Sequence, residues 1–294
     1  MGADHAYPEE APVHEVTVDG FWIDEYAVTN RQFAGFIAAT GYRTVAERPL
    51  NPADYPGALP KMLKPGAMVM RKTRGPVDLR DFRNWWHWQP GAYWRHPEGK
   101  GSSVAGRLDH PVVQVAFEDA QAYAHWTGKE LPSEAEWEFA ARGGLDGAEF
   151  VWGNEFNPDG RQMANTWQGE FPWQNLRSDG FERTSPVGAF PPNGYGLYDM
   201  AGNVWQWTTD WFSSRHPVDQ SSPCCAPVNP GGGPIAASYD PAQPQIRIPR
   251  KVVKGGSFLC APNYCRRYRP AARHPQMVES ATCHIGFRCV IRER

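Results

Sequence analysis

Apolar and polar positions change period several times along this chain. Phe33, Phe36 and Ile37 recur at the spacing of one helix face, after Thr29 and Asn30 and before Gly41. That pattern predicts a helix capped at Thr29 or Asn30 and running to about Ala39. A second helix is expected from Phe117 to Trp126, closed at Gly128. A third follows Leu131-Pro132, where Ser133 and Glu136 form a capping box and Gly143-Gly144 stop the helix. Strands are expected at residues 13–18, 21–23, 252–258 and 286–291, with regular structure also near residues 110–115. Residues 46–110 and 152–208 show little periodicity. They are expected to be ordered, loop-rich stretches, because so many aromatics are rare in disordered segments. Residues 221–245 read as a surface loop.

Composition sharpens this picture. The 294 residues are 41% hydrophobic and 21% charged, enough to bury a large core. The chain carries 29 glycines, 28 prolines and 13 tryptophans, which favours turns over long helices and aromatic packing over extended sheets. No linker or low-complexity tail divides the chain, so one intertwined domain over residues 1–294 is expected. A net charge of -2 gives no general attraction to nucleic acid or membrane. The chain has no apolar run of transmembrane length, and residues 1–12 have no apolar signal core, so a cytoplasmic location is the default expectation. No pattern asks for a partner helix or edge strand, and a monomer is expected.

The candidate chemistry centres on Cys260 and Cys265, in Gly255-Gly256-Ser257-Phe258-Leu259-Cys260-Ala261-Pro262-Asn263-Tyr264-Cys265-Arg266-Arg267-Tyr268-Arg269. Two cysteines at this spacing can face each other across a turn that Pro262 helps to fix. Such thiols can do redox chemistry, bind a soft metal or form a disulfide. The residues alone leave these three readings open. Arg266, Arg267 and Arg269 either grip peptide carbonyls or serve as surface charge and ion pairs. Six cysteines in so long a chain is not the density of a disulfide scaffold, and the adjacent Cys224 and Cys225 read as free thiols.

Several blocks together resemble the formylglycine-generating enzymes, or sulfatase-modifying factors, of bacterial type. They are His110-Pro111-Val112, Leu131 to Glu138, Ala164-Asn165-Thr166-Trp167-Gln168-Gly169, Phe190 to Met200, Gly202-Asn203-Val204-Trp205, Gly255-Gly256-Ser257, Cys260 with Cys265, Tyr268 to Arg273, and Gly286-Phe287-Arg288-Cys289. The resemblance spans nearly the whole chain. It implies an α+β fold in a single loop-rich domain, a variant of the C-type-lectin fold with little regular secondary structure. The implied activity is oxidation of a cysteine within Cys-x-Pro-x-Arg of an unfolded or nascent sulfatase to formylglycine, using dioxygen and copper(I).

On that resemblance, Cys260 and Cys265 hold the copper, leaving room for a third sulfur from the substrate, and Ser257 lines the active site. Tyr264 and Trp205 are candidates for the same pocket, though packing alone would also explain them. The resemblance further implies structural calcium at Asn165, Thr166, Asp179 and Phe181, and at a second set, Asp199, Gly202, Val204 and Gln206. Cys289 matches a family cysteine whose disulfide partner falls at Ala141 here, so that bridge is not expected; Cys283 has no evident partner. Relatives usually begin with a strand containing Pro-Gly-Gly ahead of a Met-Gly pair. This chain opens at Met1-Gly2, so that strand is expected to be missing. Two other functions share the fold. An ergothioneine-type sulfoxide synthase would need a His-x3-His-x-Glu pattern, which the sequence lacks. A non-catalytic lectin-like binding module would not need the cysteine pair.

Overall fold

The computed structural model describes residues 1–217 and 226–293; Cys224 and Cys225 lie outside them. Short elements separated by long irregular segments build the chain. Strand β1 (Phe21–Ile23) is followed by helix α1 (Asn30–Thr40). Thr29 caps α1 by accepting from the Gln32 amide, and Gly41 ends it in the left-handed region at φ 67°. Next come β2 (Gly66–Met70), β3 (Trp86–Pro90), α2 (Phe117–Trp126) and α3 (Glu134–Arg142). Ser133 and Glu136 form the expected capping box on α3, and Gly143 closes it at φ 56°. The C-terminal part supplies β4 (Trp205–Trp211), β5 (Arg250–Lys254), β6 (Arg273–Met277), β7 (Ile285–Gly286) and β8 (Val290–Arg292).

The largest sheet runs in the order β6-β5-β4-β7, antiparallel except that β7 lies parallel to β4. β1 pairs with β8, joining the two ends of the chain, and β2 pairs with β3. The architecture is α+β and loop-rich, as expected. Its main core gathers Phe33, Tyr123, Trp137, Trp207, Ile285 and Phe287, drawn from both halves of the chain. Two buried tryptophans of this core have paired N–H groups. Trp137 Nε1 donates to Gln206 Oε1 at 2.8 Å, and Trp207 Nε1 donates to the Val115 carbonyl at 3.1 Å. Among the described residues no helix is long and apolar enough to cross a membrane.

Five expectations need correction. Residues 13–18 form no strand; their alternation finds a single bridge, Thr17 to Val228. The stretch near residues 110–115 is also irregular, held by Val112 N donating to the Val28 carbonyl at 2.8 Å. The strand expected at 252–258 stops at Lys254, because Gly255 and Gly256 turn the chain at φ 93° and 71°. The expected 286–291 strand is two pieces, β7 and β8, in different sheets. The loop-rich stretch before α2 contains the β2–β3 pair, so it carries more regular structure than its composition suggested.

Candidate active site

The Gly255–Gly256 turn delivers the chain from the main sheet to the cysteine loop. A Cβ on Gly256 would lie 2.8 Å from the carbonyl oxygen of Arg267, so only glycine lets the two ends of the loop meet. Between them the backbone winds tightly. Cys260 N donates to the Ser257 carbonyl at 2.9 Å, and Cys265 N donates to the Ala261 carbonyl at 2.8 Å. This winding brings the two Sγ atoms to 3.0 Å. Both cysteines are free, at a separation well beyond the ~2.05 Å of a disulfide bond. Asn263 anchors the turn: its Nδ2 donates to the Phe171 carbonyl at 3.2 Å and to Glu170 at 3.1 Å. The Cys260 carbonyl accepts from Trp167 N at 3.0 Å.

The pair lies on the wall of a cleft of about 510 Å³. The cleft is lined partly by Trp85, Phe171, Trp205, Ser257, Tyr264 and Arg267. All five expected catalytic residues therefore meet here. Ser257 is buried, and its Oγ accepts from Leu259 N at 3.2 Å. Trp205 stacks on His274 with centroids 5.5 Å apart. Tyr264 packs edge-on against Trp85 at 5.3 Å, and burial pushes its hydroxyl up to about 12. Burial raises the Cys260 thiol, whereas Cys265 is lowered, first by its hydrogen bond to Cys260 and then by the charge of Arg267.

The cleft also holds residues that periodicity and motif did not flag. His274 and His284 line it, and burial lowers both well below the ordinary imidazole range, leaving them neutral. His284 Nδ1 lies 2.9 Å from Thr282 Oγ1. Their presence in the C-terminal block was visible in the sequence, but nothing local placed them beside the cysteines.

The arginines resolve into ion pairs. Arg267 Nη2 donates to Glu9 at 2.6 Å, and Arg269 makes a two-point pair with buried Glu10, one contact at 2.8 Å. Arg266 contributes its backbone N–H to Tyr7 at 3.0 Å.

The two expected calcium sets differ. In the first, the Thr166 carbonyl and an Asp179 carboxylate oxygen converge on one point, taken by the Gln168 amide nitrogen, which reaches Asp179 at 2.9 Å. Asn165 is buried nearby in sequence, and Phe181 N donates to Asp179 at 2.9 Å. Two oxygens that converge on one neutral donor are of the type a hard cation would take as ligands. The second set is engaged differently. Gln206 Oε1 accepts from Trp137 and from Arg288 Nε at 2.7 Å, while its Nε2 donates to the Asp199 carbonyl at 2.9 Å. An Asp199 carboxylate oxygen accepts from Gly188 N at 2.9 Å. Gly202 takes φ 73°, and its N–H goes to the Gly255 carbonyl at 2.9 Å; Val204 is buried core. The Gln206 amide oxygen is thus taken by Trp137 and the buried Arg288 guanidinium. Cys283 and Cys289 are buried and unbridged.

Comparison with known proteins finds relatives over the whole chain. The family model described as the sulfatase-modifying factor enzyme 1-like domain matches residues 1–293. The formylglycine-generating enzyme of Mycobacterium tuberculosis is 57% identical, over 99% of this chain and 93% of its own length. That of Thermomonospora curvata is 48% identical, over 97% of this chain and 86% of its own. Among solved structures, PvdO from Pseudomonas aeruginosa superposes with a TM-score of 0.62 at 23% identity, over 99% of this chain and 89% of that one, which speaks for the fold alone.

Proposed function

Because the chain belongs to the sulfatase-modifying factor enzyme 1-like family, we propose that it converts a cysteine within Cys-x-Pro-x-Arg of a sulfatase polypeptide to formylglycine, using dioxygen and copper(I). The observation that carries this reading is the free sulfur pair, Cys260 and Cys265, 3.0 Å apart on the wall of the cleft. A lectin-like binding module would have no use for two unbridged thiols held by a dedicated turn.

The donor set suits copper(I). Two soft sulfurs lie side by side, and among the described residues no cluster of three or more His, Cys, Asp or Glu side chains surrounds them. Cys260 and Cys265 would hold the metal and leave a position for the substrate sulfur. The chemistry that copper(I) supplies there is one-electron exchange with dioxygen.

The protein's own residues do the rest. The aromatic cluster of Trp85, Phe171 and Tyr264 packs against one side of the cysteine turn and would help to hold it in place. Ser257 fixes the start of the turn, and its buried hydroxyl lies in the cleft lining beside Cys260. Trp205, backed by His274, forms the opposite packing surface for an extended peptide. Calcium at Asn165, Thr166, Asp179 and Phe181 would brace the segment that carries Trp167 and Phe171 to the cysteine turn.

The test is direct. Protein loaded with copper(I) is incubated aerobically with a Cys-x-Pro-x-Arg peptide, and the product is read by mass spectrometry. The expected product carries an aldehyde in place of the CH2–SH group. Unchanged peptide, with copper shown to be bound, overturns the reading.

A further inference from the structure

Arg267 is the charged residue that the proposed chemistry leaves unused, although it lines the cleft beside the cysteines. Its guanidinium lies over the Tyr7 ring, 3.8 Å from the centroid, and Nη2 donates to Glu9 at 2.6 Å. Both contacts come from a segment some 260 residues earlier in sequence. The same segment also meets the neighbouring arginines. Tyr7 accepts from Arg266 N at 3.0 Å, and the Glu9 carbonyl accepts from Arg273 Nη1 at 3.2 Å. Tyr7 and Glu9 thus strap the guanidinium in one orientation. Its Nε, however, is buried and has no hydrogen-bond partner. A buried guanidinium N–H without an acceptor is costly and points to a partner that binds there.

Counting charge identifies the partner. Two thiolates and one copper(I) carry a net charge of minus one, and a substrate thiolate brings it to minus two. Such an anion, centred on the buried Cys260, is stabilised by a nearby cation. The cleft lining offers two permanent cations among the described residues, Arg250 and Arg267. Arg250 is already engaged by Asp240 at 3.5 Å and by the carbonyls of Ser238 and Tyr239. Arg267 has one carboxylate partner and a spare N–H. A guanidinium keeps its positive charge throughout the physiological pH range.

We propose that Arg267, held in place by Tyr7 and Glu9, is the positioning residue that supplies the counter-charge for the Cys260–Cys265 thiolate pair and so sets its affinity for a monovalent soft metal ion. The inference rests on the copper reading above. It requires no change in bonding: the guanidinium keeps its protons and acts through its field and its Nε–H.

Anaerobic competition with a chromophoric copper(I) chelator tests it without reference to turnover. Arg267→Gln removes the charge but keeps a polar group facing Glu9. Its copper(I) affinity is expected to fall roughly 10–100-fold, the range for groups that support metal ligands from behind. Arg267→Lys keeps the charge and is expected to stay within about threefold of the parent, on the same scale. Equal losses in both variants, or a loss in neither, would overturn the proposal. Thermal midpoints measured alongside separate loss of metal from loss of fold. If Arg267→Gln does not fold, Glu9→Gln decides. It keeps the cation but removes the carboxylate that straps it, so affinity must fall, and an unchanged affinity overturns the proposal. A parent protein that binds no copper(I) at all refutes the copper reading itself, a result distinct from any of these.

Discussion

The ring of Tyr264 lies flat against that of Phe171, with 4.5 Å between centroids and 6° between planes. Phe171 in turn meets Trp85 and Trp167 edge-on, at 5.4 Å and 5.1 Å. The stack fastens the cysteine turn to a distant part of the chain. Phe171→Ala is expected to cost about 3–5 kcal/mol, as for other buried aromatics truncated to alanine. Tyr264→Phe keeps the ring and its stack and is expected to cost under about 1 kcal/mol. Denaturant unfolding of both variants measures the difference; equal losses would show that the hydroxyl, not the stacking, matters.

The two sulfurs act as a unit, so removing either should abolish the metal site. Cys260→Ser and Cys265→Ser are each expected to lose copper(I) binding in anaerobic titration and to form no aldehyde. Cys283→Ser serves as the control, since that thiol is buried with the Met70 amide at 3.4 Å and stands apart from the pair. Parent-like copper binding in either cysteine variant would place the metal elsewhere.

Calcium binding at the first set, and not the second, makes a separable prediction. Adding calcium should raise the melting temperature and a chelator should reverse the rise, with stabilisation of about 2.7 kcal/mol at a hundredfold excess over Kd. Asp179→Ala should abolish the shift. Gln206→Glu should leave it unchanged, because Gln206 is committed to Trp137, Arg288 and the Asp199 carbonyl. A shift that survives Asp179→Ala would refute this assignment.

Acid stability should be governed in part by Glu138. Burial opposes its ionisation, but Lys254 at 3.0 Å and Arg142 at 2.7 Å outweigh burial and hold the carboxyl at about 2. A carboxylate whose pKa falls on folding stabilises the protein above its unfolded value. That contribution is lost as pH falls from the ordinary carboxylate range toward 2. Glu138→Gln leaves Lys254 short of an anion in the core and is expected to cost about 3–5 kcal/mol at pH 7. Its stability should also fall less steeply with acid than the parent's. Circular-dichroism unfolding at a series of pH values reads both effects; parallel curves would rule out the linkage.

Local signals were legible because their physics is local. Thr29 and Ser133 cap helices, and Gly41 and Gly143 end them, through hydrogen bonds and dihedral preferences that involve a few neighbouring residues. The cysteine turn is of the same kind, since Cys260 and Cys265 are joined by bonds within the loop. The alternation at residues 13–18 misled because a strand needs a partner, and among the described residues that segment pairs only through the bridge from Thr17 to Val228.

The sequence by itself determined the helices, the turn that pairs two thiols, and the family whose motifs surround them. Only the tertiary structure decided what faces that pair. It brought Phe171 onto Tyr264, His274 behind Trp205, and Glu9 onto Arg267, and it gave the Gln206 amide oxygen to Trp137 and Arg288. The reason is physical. Which charge meets which, and which ring covers which, depends on burial shared by segments far apart in the chain, and no short-range pattern encodes that choice.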